Sequence, residues 1–237
     1  MSIYREELLL RSKDVDMFRR LRTSELFRLL QEASIRHTEQ LGMGRDKTLD
    51  KGVLWVLLMQ RAEILRMPEY DERIVLKSWP GKTMHLIFPR FYSMETADGE
   101  PLLKASALWS LVDEKTRKVV FPEKYGVVIE GVATGEEIAM PGAVAKADCA
   151  FERDFTVPYS FVDLNGHMNN TRYFDLAQTC IAPEADGLVL KTVRAAFLSE
   201  ALAGDALTVS WARRDTLWSF SGVKNDVHCF RLSLEFA

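Results

Sequence analysis

The chain has 237 residues and a net charge of −3 at pH 7, and 47% of its residues are hydrophobic against 27% that are charged. This composition can fill a core, which excludes a mainly disordered chain, and the slight negative charge argues against a nucleic-acid-binding protein. The longest apolar stretch, residues 53–59, is too short to cross a membrane, residues 1–11 do not resemble a secretory signal, and the three widely spaced cysteines indicate a reduced cytoplasm and no metal site.

The first half of the chain is predicted to hold one helix followed by several strands. The helix covers residues 24–41, with Thr23 or Ser24 as its cap and Gly42 at its end. Its apolar face is formed by Leu26, Leu29, Leu30, Ala33 and His37. Segments rich in β-branched and aromatic residues then predict strands between turn residues such as Asp98-Gly99. These strands are residues 53–66, 73–79, 85–96, 101–113 and 118–121.

The second half repeats the order of the first after a segment of different composition. Residues 122–150 contain four glycines and two prolines and predict an interdomain linker, with one strand at residues 127–130. A strand at residues 151–157 and a helix at residues 170–181 follow, with Pro183 after the helix. The apolar face of this helix is Tyr173, Leu176, Ala177 and Cys180. The remaining strands are residues 189–199, 206–212, 216–223 and 228–236.

An internal repeat explains this order. A shift of 147 residues places residues 15–31 on residues 162–178, and a shift of 133 residues places Arg61-Ala62 on Arg194-Ala195. The identical pairs under the first shift are Val15/Val162, Asp16/Asp163, Phe27/Phe174, Leu29/Leu176 and Gln31/Gln178. We expect a duplicated domain, with units at residues 1–121 and 151–237 and a linker at residues 122–150. Accidental similarity of two apolar helix faces is the alternative.

A polar cluster precedes the second helix. Asp163, Asn165 and His167 are spaced by two residues, and in an extended segment such side chains point to one side. A carboxylate, an amide and an imidazole there, just before the N–H groups of a helix start, predict a site for hydrolysis or proton transfer. The alternative is structural, because Asp, Asn and Gly are common in turns and Asn169 or Asn170 can cap the helix.

The repeat separates these two interpretations. In the first half Phe18 replaces Asn165 and Arg20 replaces His167, although Asp16 matches Asp163. Glu200, which follows an apolar strand, matches Met67 in the first half. The second half alone therefore carries the full polar set, and Glu200 becomes a candidate base. A strand-end side chain in water is the alternative for Glu200.

The motif Asp163-x-Asn165-x-His167-Met-Asn-Asn-x-Arg-Tyr173 resembles the Asp-x-Asn-x-His-Val-Asn-Asn-x-Lys-Tyr motif of acyl-ACP thioesterases. The resemblance extends over nearly the whole chain. Supporting stretches are Trp55-Val with Arg61-Ala-Glu-Ile, and Lys104-Ala-Ser-Ala-Leu-Trp109 with Asp113, Thr116 and Arg117.

The resemblance implies an α+β tandem hotdog fold, in which each half is a long helix wrapped by an antiparallel sheet. It also implies an enzyme that hydrolyses the fatty acyl thioester of acyl carrier protein and thereby terminates fatty acid synthesis, without a cofactor. Asp163, Asn165 and His167 match the family's catalytic motif, and Glu200 matches the Glu of an Arg-Arg-Glu-Cys stretch. Ala201 stands where that stretch has its cysteine, so a Cys–His nucleophile is not expected.

Two chemical routes remain open on these residues. Either Glu200 or Asp163 activates a water, or Asp163 attacks the thioester and forms an anhydride. Asn165 and His167 then orient the reacting groups, and the backbone N–H groups of residues 166–168 stabilise the oxyanion. The acyl chain needs an apolar slot, for which we expect the first domain to supply Trp55, Leu57, Met59 and Ile64.

The carrier protein of this family is acidic, so we expect arginine side chains to contact it. The candidates are Arg19, Arg20, Arg22, Arg172, Arg213 and Arg214. Three other functions compete with this prediction: an acyl-CoA thioesterase, a hotdog enoyl hydratase or hydroxyacyl dehydratase, and a non-catalytic binding module. The repeat lets one chain imitate a hotdog dimer, so a monomer and a homodimer are both expected states.

Overall fold

The computed structural model describes residues 2–144, 146, 150–185 and 187–237. Among these residues there are two α-helices and ten strands. The helices are α1, Thr23–Gln40, and α2, Arg172–Ala185. The strands are β1 Tyr4–Leu9, β2 Val53–Ile64, β3 Arg73–Pro80, β4 Phe88–Thr96, β5 Pro101–Asp113, β6 Phe151–Thr156, β7 Leu190–Phe197, β8 Ala206–Arg214, β9 Leu217–Lys224 and β10 Val227–Phe236.

The chain divides into two compact units. The first comprises Met1–Gln60 and Leu65–Pro141, and the second comprises Arg61–Ile64 and Gly142–Ala237. The division after Pro141 falls inside residues 122–150. The assignment of residues 1–121, 122–150 and 151–237 to an acyl-binding domain, a linker and a catalytic domain stays a prediction.

The first unit packs one helix against an antiparallel sheet. Its strands lie in the order β1-β3-β4-β5-β2, and α1 contacts β3. The helix buries a stripe of side chains with helical spacing, namely Leu26, Phe27, Leu30 and Ala33. Each large side chain of this kind contributes about 1.5–3 kcal/mol when it leaves water, so the stripe fixes which face of α1 meets the sheet.

The second unit has the same plan. Its strands lie in the order β7-β10-β9-β8-β6 and all four neighbouring pairs are antiparallel. The helix α2 contacts β10 and buries Tyr173, Phe174, Ala177 and Ile181. A helix on an antiparallel sheet in each half is the α+β arrangement predicted from the sequence. None of the helices in the described part of the chain is both long and apolar enough to cross a membrane.

The two units repeat the same backbone hydrogen bonds. The N–H of Leu21 donates to the carbonyl of Pro68 at 2.8 Å, and the N–H of Met168 donates to the carbonyl of Ala201 at 2.7 Å. The two donors are 147 residues apart and the two acceptors are 133 residues apart, which are the offsets found in the sequence. The first offset also relates β1 to β6. The sequence repeat is therefore a structural repeat, and accidental similarity of two helix faces does not explain it.

Several local predictions differ from the structure. Residues 127–130 do not form a strand. Their apolar pattern instead reflects Val127 and Ile129, which are buried in one hydrophobic cluster of the core. That cluster also contains Val53, Phe88 and Leu111. Residues 118–121 form a single bridge, between Val119 and Val112, and no longer strand. Strand β1, which pairs with β3, was not predicted, because its charged residues hide the apolar pattern of a strand. Neither Thr23 nor Ser24 caps α1 with its side chain.

A buried polar network lies beneath α1. Arg90 is only 4% exposed, and its guanidinium donates to Nδ1 of His37 at 3.0 Å and to Oγ of Ser78 at 3.1 Å. It also donates to Oγ1 of Thr38 at 3.0 Å. A buried charge is costly unless it is hydrogen-bonded, and these neutral partners tie α1 to β3 and β4 through one side chain. Burial lowers the pKa of Arg90 below its ordinary value.

We expect His37 to make the fold sensitive to acid. Burial and then the nearby Arg90 charge lower the pKa of His37 from 6.5 to about 4. Between these values the unfolded chain binds a proton that the folded chain does not, so stability is full above pH 6.5 and falls as the pH drops towards 4. From pH 7 to pH 5 this histidine should remove roughly 1–2 kcal/mol of unfolding free energy.

The measurement is the melting temperature of wild type and of His37→Gln at several pH values. The variant should lose less stability between pH 7 and pH 5, because glutamine accepts a hydrogen bond without titrating. His85→Gln is the control, since His85 is exposed and should leave the pH dependence unchanged. Parallel pH curves for wild type and His37→Gln would contradict the prediction.

Candidate active site

The residues of the polar motif form a tight turn before α2. The N–H of Asp163 donates to the carbonyl of His167, and the N–H of Gly166 donates to the carbonyl of Asp163, both at 3.0 Å. Gly166 has a φ of +82°, a conformation that glycine adopts without strain. The expectation that Asp163, Asn165 and His167 lie on an extended segment is therefore wrong. The three residues belong to a turn, in which side chains two residues apart do not point to a common side.

The carboxylate of Asp163 shapes this turn. Its Oδ1 accepts the N–H of Asn165 at 2.8 Å, and its Oδ2 accepts a hydrogen from Nδ2 of Asn169 at 3.1 Å. The Oδ1 of Asn169 in turn accepts the N–H of Thr171 at 2.9 Å and its hydroxyl at 2.8 Å. Asp163 is thus tied through Asn169 to the start of α2. The sequence offered Asn169 only as a helix cap, and its contact with Asp163 was missed.

The structure brings His167 and Glu200 together. Nε2 of His167 lies 3.8 Å from Oε1 of Glu200, and the two side chains are 19% and 39% exposed. The hydrogen bond from Met168 to Ala201 places their neighbours side by side, so the turn and the loop after β7 meet at these residues. A carboxylate beside an imidazole in a partly exposed position can accept a proton from a water and pass it on.

Asn165 is exposed at the tip of the turn, and its backbone N–H holds Asp163. Of the three predicted oxyanion donors, two are used within the fold. The N–H of Gly166 is bonded to Asp163 and the N–H of Met168 to Ala201. The prediction of an oxyanion-stabilising N–H is therefore wrong for Gly166 and Met168. It stays a prediction for the backbone N–H of His167.

The first unit supplies an internal comparison. Asp16 forms the same turn, with the N–H of Phe18 and the N–H of Arg20 each 2.9 Å from its Oδ1. Nε of Arg20 lies 3.3 Å from Oδ2 of Asp16. An aspartate is therefore used for the turn in both units, whereas the pair of His167 and Glu200 is found in the second unit alone, where the first has Arg20 and Met67.

The predicted acyl-binding residues lie on β2. The indole of Trp55 is half-buried and meets the ring of Phe88 edge-on, with centroids 4.9 Å apart. Leu57 and Ile64 are buried and Met59 is half-buried. Ile64 falls in the second compact unit and the other three residues in the first. That these residues of β2 contact the acyl chain stays a prediction. Buried positions along β2 change from odd to even numbers after Leu57.

The two cysteines in the described part of the chain are poor candidates for a nucleophile. Burial raises the pKa of the Cys180 thiol and of the Cys229 thiol, which disfavours the reactive thiolate. Cys149 lies outside the described residues, and Ala201 next to Glu200 is buried. In the part of the chain that the structure describes, no three His, Cys, Asp or Glu side chains are placed to hold a metal ion.

Two family models match the sequence. The acyl-ACP thioesterase N-terminal domain matches residues 1–125, and the acyl-ACP thioesterase C-terminal domain matches residues 144–219. The chain belongs to the acyl-ACP thioesterase family. The resemblance seen in the sequence motif is thereby confirmed for both halves of the chain.

Known members of the acyl-ACP thioesterase family agree with this assignment. A chloroplastic acyl-[acyl-carrier-protein] hydrolase of Cuphea viscosissima is 21% identical over 197 residues, which are 77% of this chain and 48% of that protein. The chain thus spans about half the length of the curated relatives it matches.

Solved structures establish the fold. An acyl-ACP thioesterase from Bacteroides thetaiotaomicron superposes with a TM-score of 0.86 at 20% identity, covering 99% of this chain and 98% of that one. A 12:0-ACP thioesterase from Umbellularia californica gives a TM-score of 0.82 at 16% identity, covering 99% and 97%. The predicted α+β tandem hotdog fold is confirmed.

Proposed function

We propose that this chain hydrolyses the thioester between a fatty acyl chain and acyl carrier protein, which releases a free fatty acid and terminates fatty acid synthesis. The observation that carries the proposal is the pair of His167 and Glu200, 3.8 Å apart, in only one of two units that otherwise build the same turn. Membership of the acyl-ACP thioesterase family and the names of the similar proteins support the substrate class.

Direct attack by water is the route that the contacts favour. Glu200 takes a proton from the water as the water oxygen bonds to the thioester carbon, and His167 orients the carbonyl and stabilises its developing charge. The carbon–sulfur bond then breaks, and the carrier sulfur receives the proton from Glu200 and leaves as a free thiol. The alternative nucleophile, Asp163, would have to leave its hydrogen bonds with Asn165 and Asn169 to attack.

The acyl chain is proposed to lie along β2, against Trp55, Leu57 and Met59, with Ile64 further along the same strand. Their apolar side chains and the apolar surroundings of Trp55 support contact with a hydrocarbon chain. Exposed arginines are proposed to meet the acidic carrier, and Arg19 and Arg22 are exposed beside the first turn. Arg172 is engaged with Asp175 and with the ring of Phe161. A cytoplasmic location and a monomeric or homodimeric state stay predictions.

A thiol-release assay tests the function. We expect hydrolysis of acyl-ACP with a kcat/KM at least about 10-fold above that for the same acyl-CoA, because charge complementarity speeds docking of the carrier. No hydration of an enoyl thioester is expected. A preference for acyl-CoA would make the chain an acyl-CoA thioesterase, and hydration without thiol release would make it a hydratase.

The same hydrolysis, run as a single turnover in heavy-oxygen water, tests the route. Direct attack places the label in the first fatty acid released and none on Asp163. Label on Asp163, found by mass spectrometry of the digested protein, would instead establish the anhydride route.

A further inference from the structure

Glu200 lies on a loop that is fastened from a distant strand. The loop joins β7 to β8, and Lys224 is the last residue of β9. Nζ of Lys224 donates to the backbone carbonyl of Glu200 at 3.0 Å and to Oδ2 of Asp205 at 2.7 Å. One ammonium group therefore binds the loop both at its candidate base and at its last residue.

Asp205 completes this connection within the loop. Its Oδ2 also accepts the N–H of Leu202 at 2.7 Å, so the carboxylate closes a short turn between these two residues. The N–H of Leu202 and the Lys224 ammonium hold the pKa of Asp205 below its usual range. The side chains of Lys224 and Asp205 are only 22% and 27% exposed, which protects their ion pair from the full screening of water.

Tyr173 lies close to the same cluster. It is buried on α2, and its ring is 4.6 Å from that of Phe230. Burial, and after it the charges of Cys229 and Glu200, raise the pKa of Tyr173. The charge of Glu200 thus acts on Tyr173 of the helix, its carboxylate lies beside His167 of the turn, and its backbone is held by Lys224.

The equivalent loop of the first unit, which carries Met67, is held by different contacts. Glu72 replaces Asp205 and accepts the N–H of Glu69 at 2.9 Å, as Asp205 accepts that of Leu202. Its cation is Arg66, which belongs to the loop itself and is 46% exposed. Arg66 reaches the carbonyl of Met67, the residue equivalent to Glu200, only at 3.5 Å, which is too long for a strong hydrogen bond. The backbone carbonyl of Glu200 thus accepts a close hydrogen bond from a cation on another strand, whereas the carbonyl of Met67 does not.

We propose that Lys224 is a positioning residue that holds the backbone of Glu200 so that its carboxylate faces His167. This inference rests on the proposed hydrolase function and adds a residue to it. Lys224 acts through Glu200 and does not touch the substrate. A displacement of a catalytic group by about 1 Å can lower a rate by about 100-fold, so a small shift of this loop has a large effect.

The test compares Lys224→Met with Lys224→Arg in acyl-ACP hydrolysis. Lys224→Met should lower kcat by about 10- to 100-fold with little change in KM, because the variant binds substrate but misplaces the base. Lys224→Arg should restore most of kcat, because its guanidinium can still donate to the carbonyl of Glu200 and to Asp205. A crystal structure of Lys224→Met should have the Glu200 carboxylate displaced from His167.

Arg66→Met is the matched control. It removes the equivalent connection from the first unit, where no candidate base is present, so kcat should stay at the wild-type value whatever happens to the melting temperature. If Lys224→Met keeps the wild-type kcat, or if Arg66→Met lowers kcat equally, Lys224 has no more than a structural role and the proposal is overturned. Failure of wild type to hydrolyse acyl-ACP is a separate result that overturns the proposed function, and the positioning role with it.

Discussion

Replacement of Glu200 by glutamine, or of His167 by alanine, is expected to lower kcat for acyl-ACP hydrolysis by about 100- to 10,000-fold. Glutamine keeps the size of Glu200 but cannot take a proton from water. Loss of the His167 imidazole removes the group 3.8 Å from that carboxylate. Both variants should fold, because neither side chain is fully buried, and KM should change little if the two groups act mainly in the transition state.

The measurement is steady-state hydrolysis by variants whose melting temperatures match wild type. Met67→Ala is the matched control, since Met67 occupies the position of Glu200 in the first unit. The control should retain the wild-type kcat. A folded Glu200→Gln enzyme with full activity would exclude Glu200 as the base and leave Asp163 as the candidate.

Much of the site could be predicted because the chain contains its own comparison. The turn at Asp163 is a local structure, in which the hydrogen bonds of the Asp163 carboxylate span at most six residues, and the same turn recurs at Asp16. Local sequence therefore carried the information for the turn and for the helix that follows. The contrast of His167 with Arg20 then separated the chemistry from the structure without any other sequence.

The remaining features depend on contacts between distant residues. The approach of Glu200 to His167 requires the backbone bond from Met168 to Ala201, and Lys224 reaches Glu200 across 24 residues of sequence. No local pattern marks Lys224, which precedes an ordinary Asn-Asp turn. Arg90 was missed for a similar reason, because a charged residue in a strand predicts an exposed position unless its buried partners are known.

Gly222→Ala is expected to destabilise the second unit by about 1–3 kcal/mol. Gly222 of β9 lies directly opposite Phe230 of β10, and a Cβ there would lie 2.1 Å from Cε1 and 2.6 Å from Cδ1 of the phenyl ring. The ring has little room to move, since Phe230 is buried and packs on Tyr173 at 4.6 Å.

Denaturant unfolding of Gly222→Ala measures this cost, with Gly142→Ala as the control. A Cβ at Gly142 meets no atom within 4 Å, and its φ is not in the left-handed region, so its stability should change by less than about 0.5 kcal/mol. Equal free energies of unfolding for the two variants would mean that the ring of Phe230 can move aside at no energetic cost, and would contradict the prediction.

The first unit predicts how to relieve the strain. The pair equivalent to Gly222 and Phe230 is Met94 opposite Leu103, two side chains of medium size that are both buried. The two units thus fill equivalent spaces in different ways. The second unit uses a phenylalanine opposite a glycine, and the first uses two side chains of medium size. The double variant Gly222→Ala/Phe230→Leu should therefore be more stable than Gly222→Ala alone, although Phe230→Leu alone leaves a cavity and is destabilising. In a double-mutant cycle we therefore expect a favourable coupling energy between the two substitutions, because residues 222 and 230 compete for the same volume. Strictly additive changes in the free energy of unfolding would contradict this explanation.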